Sequence, residues 1–263
     1  MKKPVKVEFS GNSTKDDKRN SRRRFIKLGG LAFAGSSFLM YSCSDDDDLP
    51  GPKPPEPGDD VFDLGAGNLG VLNYAYALEQ LETAFYKEVR EGGYYAGADD
   101  NEKQIMDDLY YHESIHSAFF KTAITAAVGE GNEDKVLPDV EFDFSSVDFD
   151  DRMAVLSTSL LLEDTGVSAF NGAGKLIDVD AELGGTYLLI AGKIVSVEAR
   201  HASAIADLME PNTTAFARDE VLVDVGGSGK AYDKATPPAD VLSAVVNTGF
   251  VKTEFTANEL PTE

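Results

Sequence analysis

Two copies of one four-residue motif constrain this chain more than anything else in it. Glu113-Ser-Ile-His116 and Glu198-Ala-Arg-His201 lie far apart in the chain, each inside a segment whose apolar residues recur every three or four positions. A spacing of three on an α-helix puts a carboxylate and an imidazole on one face, roughly 5–6 Å apart at Cβ. That is the reach needed to share one metal ion or to span two. A carboxylate in the middle of an apolar helix is costly unless it is paired or metal-bound. The chain holds only 3 His and 19 Glu among 263 residues, so chance seldom supplies two such pairs.

The helical spacing covers four segments, 68–92, 100–128, 149–176 and 180–209. Leu69, Leu72, Tyr76, Leu78, Leu81, Phe85 and Val89 mark the first, and Gly92-Gly93 stops it. Asp99 or Asp100 caps the second, whose stripe is Ile105, Leu109, Ile115, Phe119, Ala123 and Ile124, with Gly129 just past its end. The third contains Leu160-Leu161-Leu162, and Gly172 and Gly174 weaken its last turns; Pro211 stops the fourth. With no convincing strand between them, these segments predict an all-α fold, a four-helix bundle over residues 61–210. Residues 211–263 read as a C-terminal arm packed on the bundle. In it, Val221-Leu-Val-Asp-Val suggests a short strand or an extended stretch, and Pro237-Pro238-Ala239-Asp240 opens a short capped helix.

The two helices without the motif each offer a carboxylate in an apolar stretch, Glu79 and Glu163. Their separation matches that of the two motifs to within one position. The step from Glu79 to Glu113 likewise matches the step from Glu163 to Glu198 to within one position, so the chain reads as two similar helix pairs. One Glu from each of two helices plus Glu-x-x-His from each of the other two is the ligand set of a di-metal carboxylate site. The predicted ligands are Glu79, Glu113, His116, Glu163, Glu198 and His201. Glu82 is the rival on the first helix, Asp164 on the third, and His112, one turn before His116, is a further candidate. Tyr74, Tyr76, Tyr110, Tyr111 and Tyr187 read as core or rim, with room for one of them to bond a bridging carboxylate.

Composition narrows the classes. A net charge of −22 and a pI near 4.4 lack the footprint of a nucleic-acid binder. A single Cys excludes a disulfide framework and any thiolate-rich zinc or iron–sulfur site. The charge is also uneven. Residues 1–43 hold ten Lys or Arg against three Asp or Glu, which leaves −29 on the remainder. Ser21-Arg22-Arg23-Arg24-Phe25-Ile26-Lys27 resembles a twin-arginine export signal, and the apolar run Leu28–Tyr41 that follows is too short to span a bilayer as a stable helix. Leu39-Met40-Tyr41-Ser42-Cys43 resembles a lipobox, although Tyr41 is bulkier than usual there. Residues 1–43 are therefore expected to be a signal peptide ending at a lipidated Cys43, and the acidic, Pro-rich residues 44–60 a tether. This places the protein in the cell envelope, on the periplasmic or outer face, held to the membrane by lipid.

Leu72-Asn-Tyr-Ala-Tyr-Ala-Leu-Glu-Gln-Leu-Glu-Thr-Ala-Phe-Tyr86, Leu162-Glu-Asp-Thr-Gly-Val-Ser-Ala-Phe170 and Val197-Glu-Ala-Arg-His-Ala202 together resemble the ferritin-like superfamily, and within it the bacterial proteins akin to plant desiccation-related proteins. The resemblance implies the bundle and two iron or two manganese ions, iron ahead of manganese, with zinc also compatible. It further implies an oxidoreductase acting on Fe²⁺, dioxygen or peroxide in oxidative or desiccation stress: a ferroxidase, peroxidase or catalase-like enzyme. No Cys-x-x-Cys pair accompanies it, so a rubredoxin-like electron-transfer module is absent and a peroxide-reducing cycle needs an external donor. A closed iron-storage shell fits poorly with a tether and a long arm; a homodimer is compatible. The competing reading is a non-catalytic envelope protein for stress protection or binding, its site empty or structural.

Overall fold

The computed structural model describes residues 61–227 and 229–262. The expected signal, Cys43 and tether lie outside these residues.

Four long helices form the body: α1 (Gly67–Glu91), α2 (Asp100–Val128), α3 (Arg152–Gly174) and α4 (Gly184–Met209). Their ends follow local chemistry. Asp99 accepts a hydrogen bond from the Glu102 amide and Asp151 accepts one from the Ala154 amide, each satisfying a donor that the first turn leaves free. Gly129, at φ 74°, closes α2. The fourth helix begins four residues later than its apolar pattern does. Asp178 draws the chain into a turn by accepting from the Asp180 amide, and Leu183 sits at φ 60°. A single helical turn, Gly93–Gly97, fills the corner between α1 and α2.

Cross-links fix the direction of each helix. Arg90 pairs with Asp107, and Glu79 faces His116 further down, so α1 and α2 are antiparallel. Arg152 donates to the Leu208 carbonyl, Glu163 meets His201, and Gly174 lies against Leu188, so α3 and α4 are antiparallel too. The link between the two pairs, residues 129–151, runs the length of α1. Asn73 donates to the Leu64 and Lys135 carbonyls and accepts from the Leu137 amide. Gln80 bonds Pro138 and Val140, and Phe149 receives the Tyr94 amide. Because this crossover returns the chain to the far end, α3 runs alongside α2 in sense, and α4 alongside α1.

Tyr74, Leu81, Phe85, Met106, Ile124, Leu156 and Ile205 are among the side chains sealed in the core. Ile115 departs from its expected place in the α2 stripe: it is 64% exposed, because the turn it occupies gives its inward positions to Glu113 and His116. The arm does pack on the bundle, but with more extended structure than the sequence suggests. A two-residue strand β1 (Phe62–Asp63) pairs in parallel with β4 (Phe255–Thr256), and β2 (Leu222–Asp224) pairs antiparallel with β3 (Lys230–Asp233). The short helix α5 spans Pro238–Thr248. Gly172 serves contact rather than weakness: a Cβ there would lie 1.8 Å from the Thr236 carbonyl oxygen, so the arm crosses α3 where only Gly leaves room. Among the described residues no helix is long and apolar enough to cross a membrane.

Candidate metal centre

All six predicted ligands point into the middle of the bundle. Glu79, Glu113, Glu163 and Glu198 have no exposed surface, and the rings of His116 and His201 are nearly covered. His116 Nδ1 lies 3.4 Å from Glu79 Oε2, 3.3 Å from Glu113 Oε2 and 3.3 Å from Glu198 Oε1. His201 Nδ1 lies 2.8 Å from Glu113 Oε1, 3.2 Å from Glu163 Oε2 and 4.0 Å from Glu198 Oε2. The site therefore has two halves. One is Glu79, Glu113, His116 and Glu198; the other is Glu113, Glu163, Glu198 and His201, with the ligand atoms of each within 4.8 Å of one another. Glu113 and Glu198 belong to both, and each turns one oxygen to either half.

The donor set fits cations better than it fits itself. One ring N–H cannot serve the three carboxylate oxygens around His116. Both oxygens of Glu79 and of Glu198, and Glu113 Oε1, are buried without a hydrogen bond of acceptable geometry, although Glu113 Oε1 is so near a ring nitrogen. Lone pairs aimed at a common point rather than at a partner donor are what ligands around an ion require. Buried polar groups are otherwise satisfied. Oxygen with imidazole is a hard-to-intermediate donor set that iron, manganese and zinc all accept.

Without ions, protons carry the compensation. Burial raises Glu79, Glu82 and Glu198 well above the usual carboxylate range, and neighbouring carboxylates add to it. Burial also raises Glu163, against the pull of His201. Burial disfavours charge on His116, yet the carboxylates of Glu113, Glu198 and Glu79 around it outweigh that and lift the ring to about 12. His201, likewise buried, is lifted to about 11 by Glu163 and Glu113. Glu113 alone goes down, to about 2: burial opposes its charge, but both imidazoles favour it.

A family profile described as a ferritin-like domain matches residues 67–211, more than half of the chain. The chain belongs to the ferritin-like family. The match opens on the first residue of α1 and closes two residues past α4, so it takes in the whole ferritin-like bundle and leaves out the arm. No curated protein matches the chain.

The geometry also places the three second choices. Glu82 is not an alternative to Glu79; both are buried, and Glu82 stands as a fifth carboxylate whose Oε2 has no partner. It fits because α3 has Gly166 opposite, where a Cβ would lie 3.0 Å from Glu82 Oε1 and 3.2 Å from Glu198 Oε2. Asp164 faces away from the site and pairs with Arg218 of the arm, since consecutive helix positions diverge by about 100°. His112 is exposed and lies behind the site. Its Nδ1 is 2.9 Å from His201 Nε2 and the rings stack at 5.1 Å, so it holds the far nitrogen of a ligand rather than a metal position. The tyrosine that bonds a carboxylate of this cluster is Tyr86, outside the five considered. Its hydroxyl donates to Glu163 Oε1 at 2.5 Å. Tyr86 is two turns beyond Glu79 and one beyond Glu82, so it shares their face; that spacing was the available signal.

Proposed function

We propose that this ferritin-like protein is an exported di-metal oxidoreductase that uses two iron or two manganese ions, iron first, to react with Fe²⁺, dioxygen or peroxide. One observation carries the reading: Glu113 and Glu198 each offer one oxygen to either of two His-capped ligand groups. Such a pair of ions, when bound, supplies two electrons at one place. The chain's own residues do the rest. Glu79 with His116 and Glu163 with His201 would each hold one ion, and the Tyr86 hydroxyl orients Glu163. His112 keeps the His201 ring turned inward, the kind of outer contact that tunes a ligand. The surrounding core keeps bulk water from the carboxylates. Export through the twin-arginine route and tethering at Cys43 belong to the same proposal and rest on residues 1–60 of the sequence. That route carries folded proteins, which would let the ions be loaded before transport.

Metal analysis of purified protein, reconstituted with ferrous iron and separately with Mn²⁺, tests the reading. The expected result is about two ions per chain, with His116→Ala and His201→Ala each falling to one or fewer. Wild-type protein that retains no metal after reconstitution overturns the proposal in favour of a non-catalytic envelope protein.

A further inference from the structure

A second feature of the bundle lies outside the ligand set. An apolar pocket of about 20 Å³, partly open at one side, lies between the helices and is lined by all four of them. Ala75 and Leu78 of α1, Phe120 of α2, Phe170 and Ala173 of α3 and Ala191 of α4 are among its walls. Its position relative to the carboxylates follows from chain direction. Ala75 is one turn before Glu79, Phe120 one turn after His116, Phe170 two turns after Glu163 and Ala191 two turns before Glu198. At 1.5 Å per residue, these offsets are about 6, 6, 10 and 10 Å. Since α1 and α4 run one way and α2 and α3 the other, all four offsets point to the same end of the bundle. The cavity therefore adjoins the ligand cluster along the axis, on the side where α1 and α4 begin. That end is fastened by Asn68, which donates to the Asp178 carbonyl and accepts from the Asp178 amide.

The chemistry of the walls selects what can enter. Only two lining side chains, Tyr74 and Tyr187, carry a polar atom; the rest are hydrocarbon or glycine. The Tyr74 hydroxyl is buried and has no hydrogen-bond partner among the described residues. A water needs about 10–15 Å³ of such space together with two to four polar partners, and apolar cavities stay dry and take up xenon. This space is large enough for a molecule of two heavy atoms and offers at most two phenol hydroxyls on otherwise hydrocarbon walls. Ions and hydrogen peroxide, which must keep several hydrogen bonds, are disfavoured. A small apolar gas is accepted.

We infer that this cavity is a dioxygen-binding site and the route by which dioxygen, rather than peroxide, reaches the metal pair. The inference rests on the di-metal reading of the adjoining site and names the oxidant that site is built to receive. Peroxide and Fe²⁺ are left the polar side of the bundle, where the edge of His116 and the exposed His112 face solvent.

Xenon is the probe. Crystals of the whole protein pressurised with xenon should show one atom between Ala75 and Ala173. Ala75→Leu and Ala173→Leu, made separately because either one alone could overfill the core, should lose it. Both should keep wild-type metal content. In the iron-loaded protein, reduced anaerobically, each should slow reoxidation by dioxygen at least fivefold while changing reoxidation by hydrogen peroxide less than twofold. Metal-loaded protein that takes up no xenon in the cavity overturns the inference and leaves the di-metal reading standing. So does xenon uptake with variants that slow both oxidants alike or neither. Protein that binds no metal removes the di-metal reading and, with it, the role of the cavity as a route, whatever xenon shows.

Discussion

Glu113 and Glu198 carry a heavier share of the centre than the other ligands, because each serves both halves. Removing one of them should cost both ions; removing Glu79 or Glu163 should cost mainly one. Glu113→Ala and Glu198→Ala are expected to fall from about two metals per chain to below 0.5, and Glu79→Ala and Glu163→Ala to about one. Elemental analysis of the four variants, with helix content checked by circular dichroism, decides it; equal losses in all four would mean that the carboxylates are not divided into bridging and terminal roles. The six converging positions were legible in the sequence because each combines a helical offset with an apolar setting, and the steps from Glu79 to Glu113 and from Glu163 to Glu198 agree to within one position. The surrounding residues were less legible for a physical reason. Whether Asp164 turns to the site or to Arg218 depends on how a distant arm returns to α3, and the room for Glu82 depends on the missing side chain of Gly166 on another helix. Neither is a property of local spacing.

At the level of elements, helix existence and type followed from the apolar period, while the ends and the connections followed from side chains that period does not register. The crossover shows this best. Its path along α1 rests on two amides, Asn73 and Gln80, which make five hydrogen bonds between them to residues 64, 135, 137, 138 and 140. Asn73 is 1% exposed. Asn73→Ala removes three of those bonds and leaves the buried Leu137 amide unpaired, a loss of about 2–4 kcal/mol when each stranded buried group costs about 1–3 kcal/mol. Urea unfolding should show it as a lower midpoint with an unchanged slope; a loss below about 0.5 kcal/mol would mean that the crossover is held elsewhere. Ile115 was misread for the complementary reason. Period alone cannot tell an apolar residue on the buried face from one beside a buried carboxylate, and here the carboxylate took the inward position.

For the whole molecule, the centre sets how stability depends on pH. In metal-free protein the raised groups, Glu79, Glu82, Glu163, Glu198, His116 and His201, hold protons that the unfolded chain would release. Their stabilising contribution is full below the unfolded values, near 4.3 for Glu and 6.5 for His, and is lost as pH climbs toward the folded ones. Glu113 acts in the opposite sense, but only between its ordinary value and about 2, below the working range. Metal-free protein should therefore melt at a higher temperature at pH 5 than at pH 8. One net proton is worth about 1.4 kcal/mol per pH unit, so three units amount to roughly 4 kcal/mol, or on the order of 10 °C for a domain of this size. Loaded protein should show the reverse trend in its gain from metal, since protons compete with ions for the same lone pairs. Melting curves at both pH values, with and without chelator, test both statements. A metal-free protein less stable at pH 5 than at pH 8 would show that the carboxylates do not retain their protons.

The offset that relates Glu79 to Glu163 also relates Glu82 to Gly166. The two halves of the bundle thus repeat each other in their candidate ligands and differ at this inner position, a carboxylate in the first and nothing in the second. Four ligand carboxylates balance the charge of two divalent ions; Glu82, once ionised, adds one negative charge and adds it off-centre. The two ions would then not be twins. If two ions were held there, the one nearer Glu82 would give up an electron more readily, and an extra positive charge on the pair would have a preferred side.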